Sequence, residues 1–173
     1  MVVSQLERKA FKSPIAYALA RQFEGMWEMI RQAIENIPED EWTIGEKSDE
    51  EWYYSLRIYH MIETAEFYSR DTHDGMQWGA RLGKINWWDT ISHKEAAKMV
   101  IKGDMLIYLD DIAKYIRSHL KRVSDDKLQR KDGFHWFASV LEKYHYLIRH
   151  NTYHLGELTM KLRALGHDRI KWT

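Results

Sequence analysis

The sequence predicts an all-α protein, an up-and-down four-helix bundle, and three observations lead to this class. Four segments place apolar residues at the three-to-four spacing of an amphipathic helix. Each segment has helix start or stop residues at its ends and is long enough for a bundle rather than a mixed α/β domain. No internal repeat, low-complexity tract or linker interrupts the chain. Four amphipathic helices must bury their apolar faces against one another, so we expect residues 1–173 to form a single domain.

The first helix is predicted at about residues 13–36. Ser13 is suited to the N-cap and Pro14 to the first helical position, because a proline there loses no intrahelical hydrogen bond. Pro38 prevents the helix from continuing. The apolar positions that keep the helical spacing are Ile15, Leu19, Phe23, Met26, Ile30 and Ile37.

The second helix is predicted at about residues 49–70, because residues 48–51 (SDEE) have the pattern of a capping box. One face of this helix carries Tyr53, Leu56, His60 and Phe67. The following residues, about 71–91, are predicted to be a loop that contains Gly75, Gly79, Gly83, Trp78, Trp87 and Trp88. A loop of this length in a small domain is often functional, so we interpret it as a wall over a pocket.

The third helix is predicted at about residues 92–123, opening with a second capping box at residues 92–95 (SHKE). Its apolar positions are Met99, Leu106, Leu109 and Ile116. Residues 124–133 are polar and are interpreted as a turn. The fourth helix is predicted at about residues 134–165, with Gly166 as the residue past its C-terminus.

The strongest chemical signal is the pair His150 and His154 in the fourth helix. A step of four residues turns an α-helix by about 400°, which places the two imidazoles about 40° apart on one face. Both side chains can therefore reach one ion. A pair of ordinary surface histidines is the alternative interpretation of this spacing.

His60 strengthens the metal interpretation, because it lies in an otherwise apolar row of the second helix. Alone, such a histidine is more often a core residue satisfied by a hydrogen bond. Facing a histidine pair from another helix, it fits the way in which bundles build metal sites. We predict that His60, His150 and His154 bind one divalent ion, with zinc or nickel first and iron, manganese or copper as the other choices.

Two carboxylates accompany these histidines, Glu63 in the second helix and Glu157 in the fourth. Glu157 falls about 20° from His150 on the helix surface. There it could accept a hydrogen bond from a metal-binding histidine, remain in solvent or act as a fourth ligand. Either carboxylate could also be a general base. We do not predict a two-metal site, because the first and third helices offer no clearly matching inward glutamate. The other histidines are assigned no role.

Composition narrows the function classes. Lysine plus arginine and aspartate plus glutamate both number 26, so the charge is balanced and nucleic-acid binding is not expected. The chain has no cysteine, which leaves only nitrogen and oxygen metal ligands and no cysteine nucleophile. No secretory signal and no run of roughly 20 apolar residues is found, so we expect a cytoplasmic protein that does not enter a membrane. The many aromatic residues and the zero net charge favour a homodimer.

Four short motifs occur in a characteristic order along the chain. They are residues 42–46 (WTIGE), 59–66 (YHMIETAE), 150–158 (HNTYHLGEL) and 162–166 (LRALG), followed by Trp172. Together these motifs resemble the DinB/YfiT-like superfamily. The resemblance extends over about residues 13–172 and implies a four-helix bundle. It also implies one metal ion held by a histidine of the second helix and two of the last, which correspond to His60, His150 and His154.

The resemblance further implies chemistry with a small thiol. Members of known activity include bacillithiol and mycothiol transferases and a mycothiol-dependent maleylpyruvate isomerase; others are metalloproteins induced by DNA damage. By analogy, a low-molecular-weight thiol enters the open coordination position and attacks a small-molecule electrophile held in an aromatic cleft. A metal-dependent hydrolase and a non-catalytic metal-binding, stress-associated protein remain the alternatives.

Overall fold

The computed structural model describes residues 7–46, 49–83 and 91–173. Its helices, numbered in chain order, are α1 Pro14–Asn36, α2 Tyr54–Ser69, α3 His93–Met99, α4 Lys102–Arg122, α5 Asp125–Gln129 and α6 Val140–Ala164. A small antiparallel hairpin, β1 Gly45–Glu46 and β2 Asp49–Tyr53, precedes α2. Single 3₁₀ turns occur at Arg8–Ala10 and Ala80–Leu82. The all-α class is therefore confirmed, and none of the helices in the described ranges is long and apolar enough to cross a membrane.

The first helix begins where the sequence predicts. The hydroxyl of Ser13 accepts a hydrogen bond from the amide of Ala16 at 2.8 Å, and Pro14 occupies the first helical position. The helix ends at Asn36, and its C-cap residue, Ile37, is extended in front of Pro38. Local capping chemistry thus determines both ends of this helix.

The predicted start of the second helix is wrong. Asp49–Tyr53 form strand β2, and α2 begins only at Tyr54, while Ser48 of the expected capping box lies outside the described residues. Pairing with the preceding strand decides the conformation, because Gly45 is paired with Tyr53 and packs against its ring. A Cβ atom at Gly45 would lie 2.6 Å from Cζ of Tyr53, so a larger residue at this position would have to displace the Tyr53 ring.

The predicted third helix is divided into α3 and α4, which are separated at Val100 and Ile101. The indole of Trp42 donates a hydrogen bond to the carbonyl of Val100 at 2.6 Å, and the hydroxyl of Ser55 donates to that of Ala97 at 3.1 Å. These donors satisfy carbonyls at the helix C-terminus, where intrahelical partners are lacking. The cap at Ser92 is confirmed, since its hydroxyl accepts from the amide of Glu95.

The fourth long helix begins six residues later than predicted, at Val140 rather than Phe134. Ser139 caps it by accepting from the amide of Glu142, whose carboxylate accepts from the amide of Ala138. Phe134 is instead buried against Phe67, with a ring separation of 5.0 Å. The predicted turn at residues 124–133 contains α5. At the other end, Gly166 adopts a positive φ of 81° past the helix, as predicted.

The four long helices share one apolar core. α1 packs against α4 and α6, and α2 packs against the same two helices, whereas α1 and α2 are not a closely packed pair within the described ranges. Fully buried core residues come from all four helices, among them Ile30, Ile62, Leu109 and Leu158. This arrangement lays α2 along α6, which brings together the two helices that carry the predicted ligands.

Candidate metal centre

The three predicted ligands meet between α2 and α6. His60 projects from α2, and His150 and His154 project from successive turns of α6. One nitrogen from each imidazole can be chosen so that all three lie within 4.8 Å of one another. The Nε2 atoms of His60 and His150 are 3.1 Å apart. Among the described side chains, these three histidines are the group spaced closely enough to hold an ion.

Asn151 positions the two helices relative to each other. Its side-chain amide, which is fully buried, donates a hydrogen bond to the carbonyl of Met61 at 3.3 Å. Asn151 follows His150 in sequence, and Met61 follows His60, so this bond lies beside the cluster. A buried amide of this kind restrains the axial position of α6 against α2. Asn151 was not predicted from the sequence to have a role, although its position inside the histidine motif could have indicated one.

The spacing of the imidazoles fits a first-row metal ion. Two nitrogen ligands at about 2.0–2.1 Å from a tetrahedral Zn²⁺ lie roughly 3.3–3.4 Å apart. The 3.1 Å between His60 and His150 is close to that distance. Only small side-chain adjustments would be needed for both nitrogens to contact one ion. Three imidazoles also form a donor set suited to zinc, copper, iron or nickel.

The surroundings keep these imidazoles neutral. Burial, with help from His150 and His154, lowers the pKa of His60 to about 3. Burial and the neighbouring His154 lower the pKa of His150 to about 4. Burial also lowers the pKa of His154, although its hydrogen bond to Glu157 acts in the opposite direction. At neutral pH each ring therefore retains a lone pair that can bind a metal.

Glu157 contacts one of the three histidines. Nδ1 of His154 donates a hydrogen bond to Oε2 of Glu157 at 2.6 Å, and the two residues are three positions apart on α6. A carboxylate accepts but does not donate, so the proton of the neutral imidazole must be on Nδ1. Nε2 of His154 then carries the free lone pair. This is the arrangement commonly found behind metal-binding histidines.

Glu63 lies in a different environment. Its buried carboxylate accepts hydrogen bonds from the hydroxyl of Tyr59 at 2.8 Å and from the backbone amide of Gly79 at 2.6 Å. Burial and the charge of Glu63 raise the pKa of Tyr59. Glu63 thus connects α2 to the loop that follows it. Among the described residues, it does not belong to the group of closely spaced ligand atoms.

Aromatic side chains flank the histidines, although not the ones that the sequence analysis emphasised. Tyr146 stacks on His150 with ring centroids 5.9 Å apart, and it also contacts Tyr68 and Phe137. Of the predicted loop tryptophans, Trp78 packs against Phe67 at 4.9 Å. Trp87 and Trp88 lie outside the described residues. Tyr146 precedes His150 by four residues, so helical spacing could have identified it.

Arg57 is a second residue that the sequence analysis missed. Its Nε atom lies 3.5 Å from Oε2 of Glu157, the same oxygen that accepts from His154. Its charge contributes to the lowered pKa of all three imidazoles. Arg57 lies one helical turn before His60, which is the sequence signal that could have found it.

Several other histidines lie away from this cluster. His73 and His135 pack around Trp136, and His167 contacts the carboxylate of Glu41 at 2.9 Å. His145 is exposed on α6, on the side away from the core, as helical geometry predicts. Within the described part of the chain, none of these histidines belongs to the cluster of His60, His150 and His154.

Comparison with known proteins identifies one family. The sequence model of the DinB family matches residues 8–173, which is nearly the whole chain. The resemblance that the short motifs indicate is thereby confirmed. A search of curated proteins finds no significant match.

Proposed function

The chain belongs to the DinB family, and from this membership and the three-histidine cluster we propose that it is a metal-dependent enzyme that transfers a low-molecular-weight thiol to a small electrophile. His60, His150 and His154 bind one divalent ion through Nε2, with zinc or nickel as the first choices and iron, manganese or copper as the others. The spacing of the imidazoles and their neutral state support this ligand set.

A divalent ion with three histidine ligands retains an open position and lowers the pKa of a thiol or water bound there. The residues of the chain prepare the site for this chemistry. Burial keeps His60 and His150 unprotonated, and Glu157 holds the proton of His154 on Nδ1. Tyr146 covers one face of His150 with an apolar ring, which limits water and offers a surface for an apolar electrophile.

One observation favours thiol transfer over hydrolysis: both candidate bases are engaged elsewhere. Glu157 accepts a hydrogen bond from His154, and Glu63 accepts from Tyr59 and Gly79 on the side of α2 that faces the loop. For hydrolysis we expect a carboxylate positioned as a general base beside the metal-bound water. A thiol needs none at the moment of attack, because the metal stabilises its anionic form and the proton has already passed to solvent.

The test uses Co²⁺-substituted protein. Addition of low-molecular-weight thiols should produce thiolate charge-transfer absorption, and addition of monochlorobimane should then yield the conjugate faster than with a His150→Ala variant. The absence of both signals would overturn the proposal of thiol transfer. Water-dependent cleavage of esters or amides by the same sample would favour the hydrolase. No activity in either assay would favour the non-catalytic metal-binding protein.

Three further proposals concern assembly and location. The contacts among α1, α2, α4 and α6 support a single-domain four-helix bundle. Exposed Tyr153 and Met160, which lie on α6 on either side of the small Gly156, support a homodimer. A sedimentation mass of one chain across micromolar concentrations would contradict that assembly.

We also propose that the protein is cytoplasmic. Fractionation of cells that produce the protein would test this location.

A further inference from the structure

Arg57 is a partly exposed cation at the edge of the histidine cluster. Its side chain retains 25% of its accessible surface. Its guanidinium carbon lies 6.0 Å from the centroid of the Trp52 ring, and Nε lies 3.5 Å from Glu157. Lys161 approaches the same indole, with Nζ 4.1 Å from the ring centroid. The buried indole of Trp52 therefore makes cation–π contacts with two positive side chains near the site.

Most of the hydrogen-bonding capacity of Arg57 is unused. A guanidinium has five N–H donors, of which four are on the two terminal nitrogens. Besides its contact with the Trp52 ring, the side chain of Arg57 makes one polar contact within the part of the chain that the structure describes, the ion pair of Nε with Glu157. At 3.5 Å this pair is too long for a good hydrogen bond. The terminal nitrogens are thus left for an acceptor that the protein does not supply there.

The charges around the cluster also leave a place for an anion. Histidine binds a metal as the neutral imidazole, and the charges of Arg57 and Glu157 cancel, so a divalent ion would bring a net excess of two positive charges. The nearest other carboxylates of α2 are occupied, Glu63 by Tyr59 and Glu66 by the hydroxyl of Tyr108. Uncompensated charge in a partly buried site is unfavourable, so an anionic ligand is preferred.

We infer that the molecule entering the open coordination position carries a carboxylate a few bonds from its donor atom, and that Arg57 binds this carboxylate through its terminal nitrogens. This inference rests on the proposed metal site and narrows its substrate class. The planar fork of one guanidinium matches the two oxygens of one carboxylate. Contacts with Trp52 and Glu157 hold the guanidinium in place before the ligand arrives.

The experiment compares two thiols that differ mainly in the carboxylate, 3-mercaptopropionate and 2-mercaptoethanol. Their dissociation constants are measured on Co²⁺-substituted wild type, Arg57→Gln and Lys161→Gln by thiolate charge-transfer absorption. A hydrogen bond to a charged group contributes about 1.5–3 kcal/mol, so the wild type should prefer 3-mercaptopropionate by about tenfold or more. Arg57→Gln should lose most of this preference, because its affinity for 3-mercaptopropionate should fall by about tenfold more than its affinity for 2-mercaptoethanol.

Lys161→Gln is the matched control, because it removes a cation from the same indole ring. It should retain the preference of the wild type. An equal preference in Arg57→Gln and wild type, or none in wild type, would overturn the inference. If Arg57→Gln does not fold, Arg57→Lys replaces it. Lysine keeps the charge without the planar fork, so the preference should fall, and an unchanged preference would contradict the assignment.

A second pair of probes separates this inference from the proposal of thiol transfer. Lactate and 1,2-propanediol differ by a carboxylate and contain no thiol, and their binding is followed by the visible spectrum of the same Co²⁺ protein. If no thiol enters the metal shell, the proposed transferase fails. Tighter binding of lactate that depends on Arg57 would still support the carboxylate site, and equal binding in wild type and Arg57→Gln would overturn it.

Discussion

Nδ1 of His154 lies 2.6 Å from the carboxylate of Glu157, one turn further along α6. The contact determines which nitrogen of this imidazole carries the proton, and it leaves the lone pair on the other nitrogen. A local pair on one helix therefore fixes the protonation of a candidate ligand in a cluster that is shared by two helices.

Replacement of Glu157 by glutamine should weaken metal binding. Glutamine can still accept through its oxygen, but it lacks the negative charge that increases the basicity of the imidazole. Loss of such a partner typically reduces metal affinity by about 10–100-fold. Competition with a chromophoric zinc chelator measures the change. Glu35→Gln, at an exposed glutamate of α1, is the control and should leave the affinity unchanged. Equal affinity in both variants would show that Glu157 does not support the ligand.

Loss of the histidines should remove the ion. We expect close to one equivalent of metal in protein purified without chelator, and much less than one in His60→Ala and in the double variant His150→Ala/His154→Ala. Elemental analysis measures the content. His145→Ala serves as the control, because this exposed histidine is on the same helix and should not affect binding. Undiminished metal in the double variant would refute the ligand assignment.

The metal-free protein should lose stability as the pH falls below about 6.5. Burial lowers the pKa of His60 to about 3 and that of His150 to about 4 in the folded state, whereas an unfolded histidine titrates near 6.5. Between these values the unfolded chain binds more protons, so the free energy of unfolding decreases as the pH falls, and it is insensitive to these two groups above about 7.

Urea unfolding between pH 4.5 and 7.5 tests this dependence. The variant His60→Leu removes one of the buried titrating groups and should show a shallower loss of stability toward low pH. Wild type and variant with identical slopes would indicate that the His60 imidazole is already protonated in the folded protein.

Asn151→Ala should separate α2 from α6 slightly and destabilise the fold. The substitution removes the donor to the Met61 carbonyl and leaves a small cavity in a fully buried position. We expect a cost of about 1–3 kcal/mol in the free energy of unfolding. We also expect weaker metal binding, because the ligands come from both helices. Thr152→Ala, at the exposed neighbouring position, should change stability by less than about 0.5 kcal/mol. A loss in the control as large as that in Asn151→Ala would rule out this role.

The sequence alone was sufficient for features that depend on neighbours along the chain. The caps at Ser13 and Ser92 and the positive φ at Gly166 follow from local hydrogen bonds and backbone sterics, and all three are found where predicted. The pairing of His150 with His154 on one face follows from the helical repeat. His60 was predicted from its place in the apolar row of the second helix, and the family motifs supported it because they join residues that are far apart in sequence.

Tertiary contacts decided the features that depend on residues distant in sequence. The start of α2 was displaced because Gly45 pairs with Tyr53, and the break before α4 occurs where Trp42 donates to the Val100 carbonyl. The positions of Arg57 beside Glu157 and of Asn151 against Met61 exist only because α2 packs along α6. Helical periodicity describes which face of a helix a residue occupies. The axial position of one helix against another, however, is determined by buried side chains of both helices. Therefore the sequence identified the candidate ligands, and only the packing of α2 on α6 determined the charges around them.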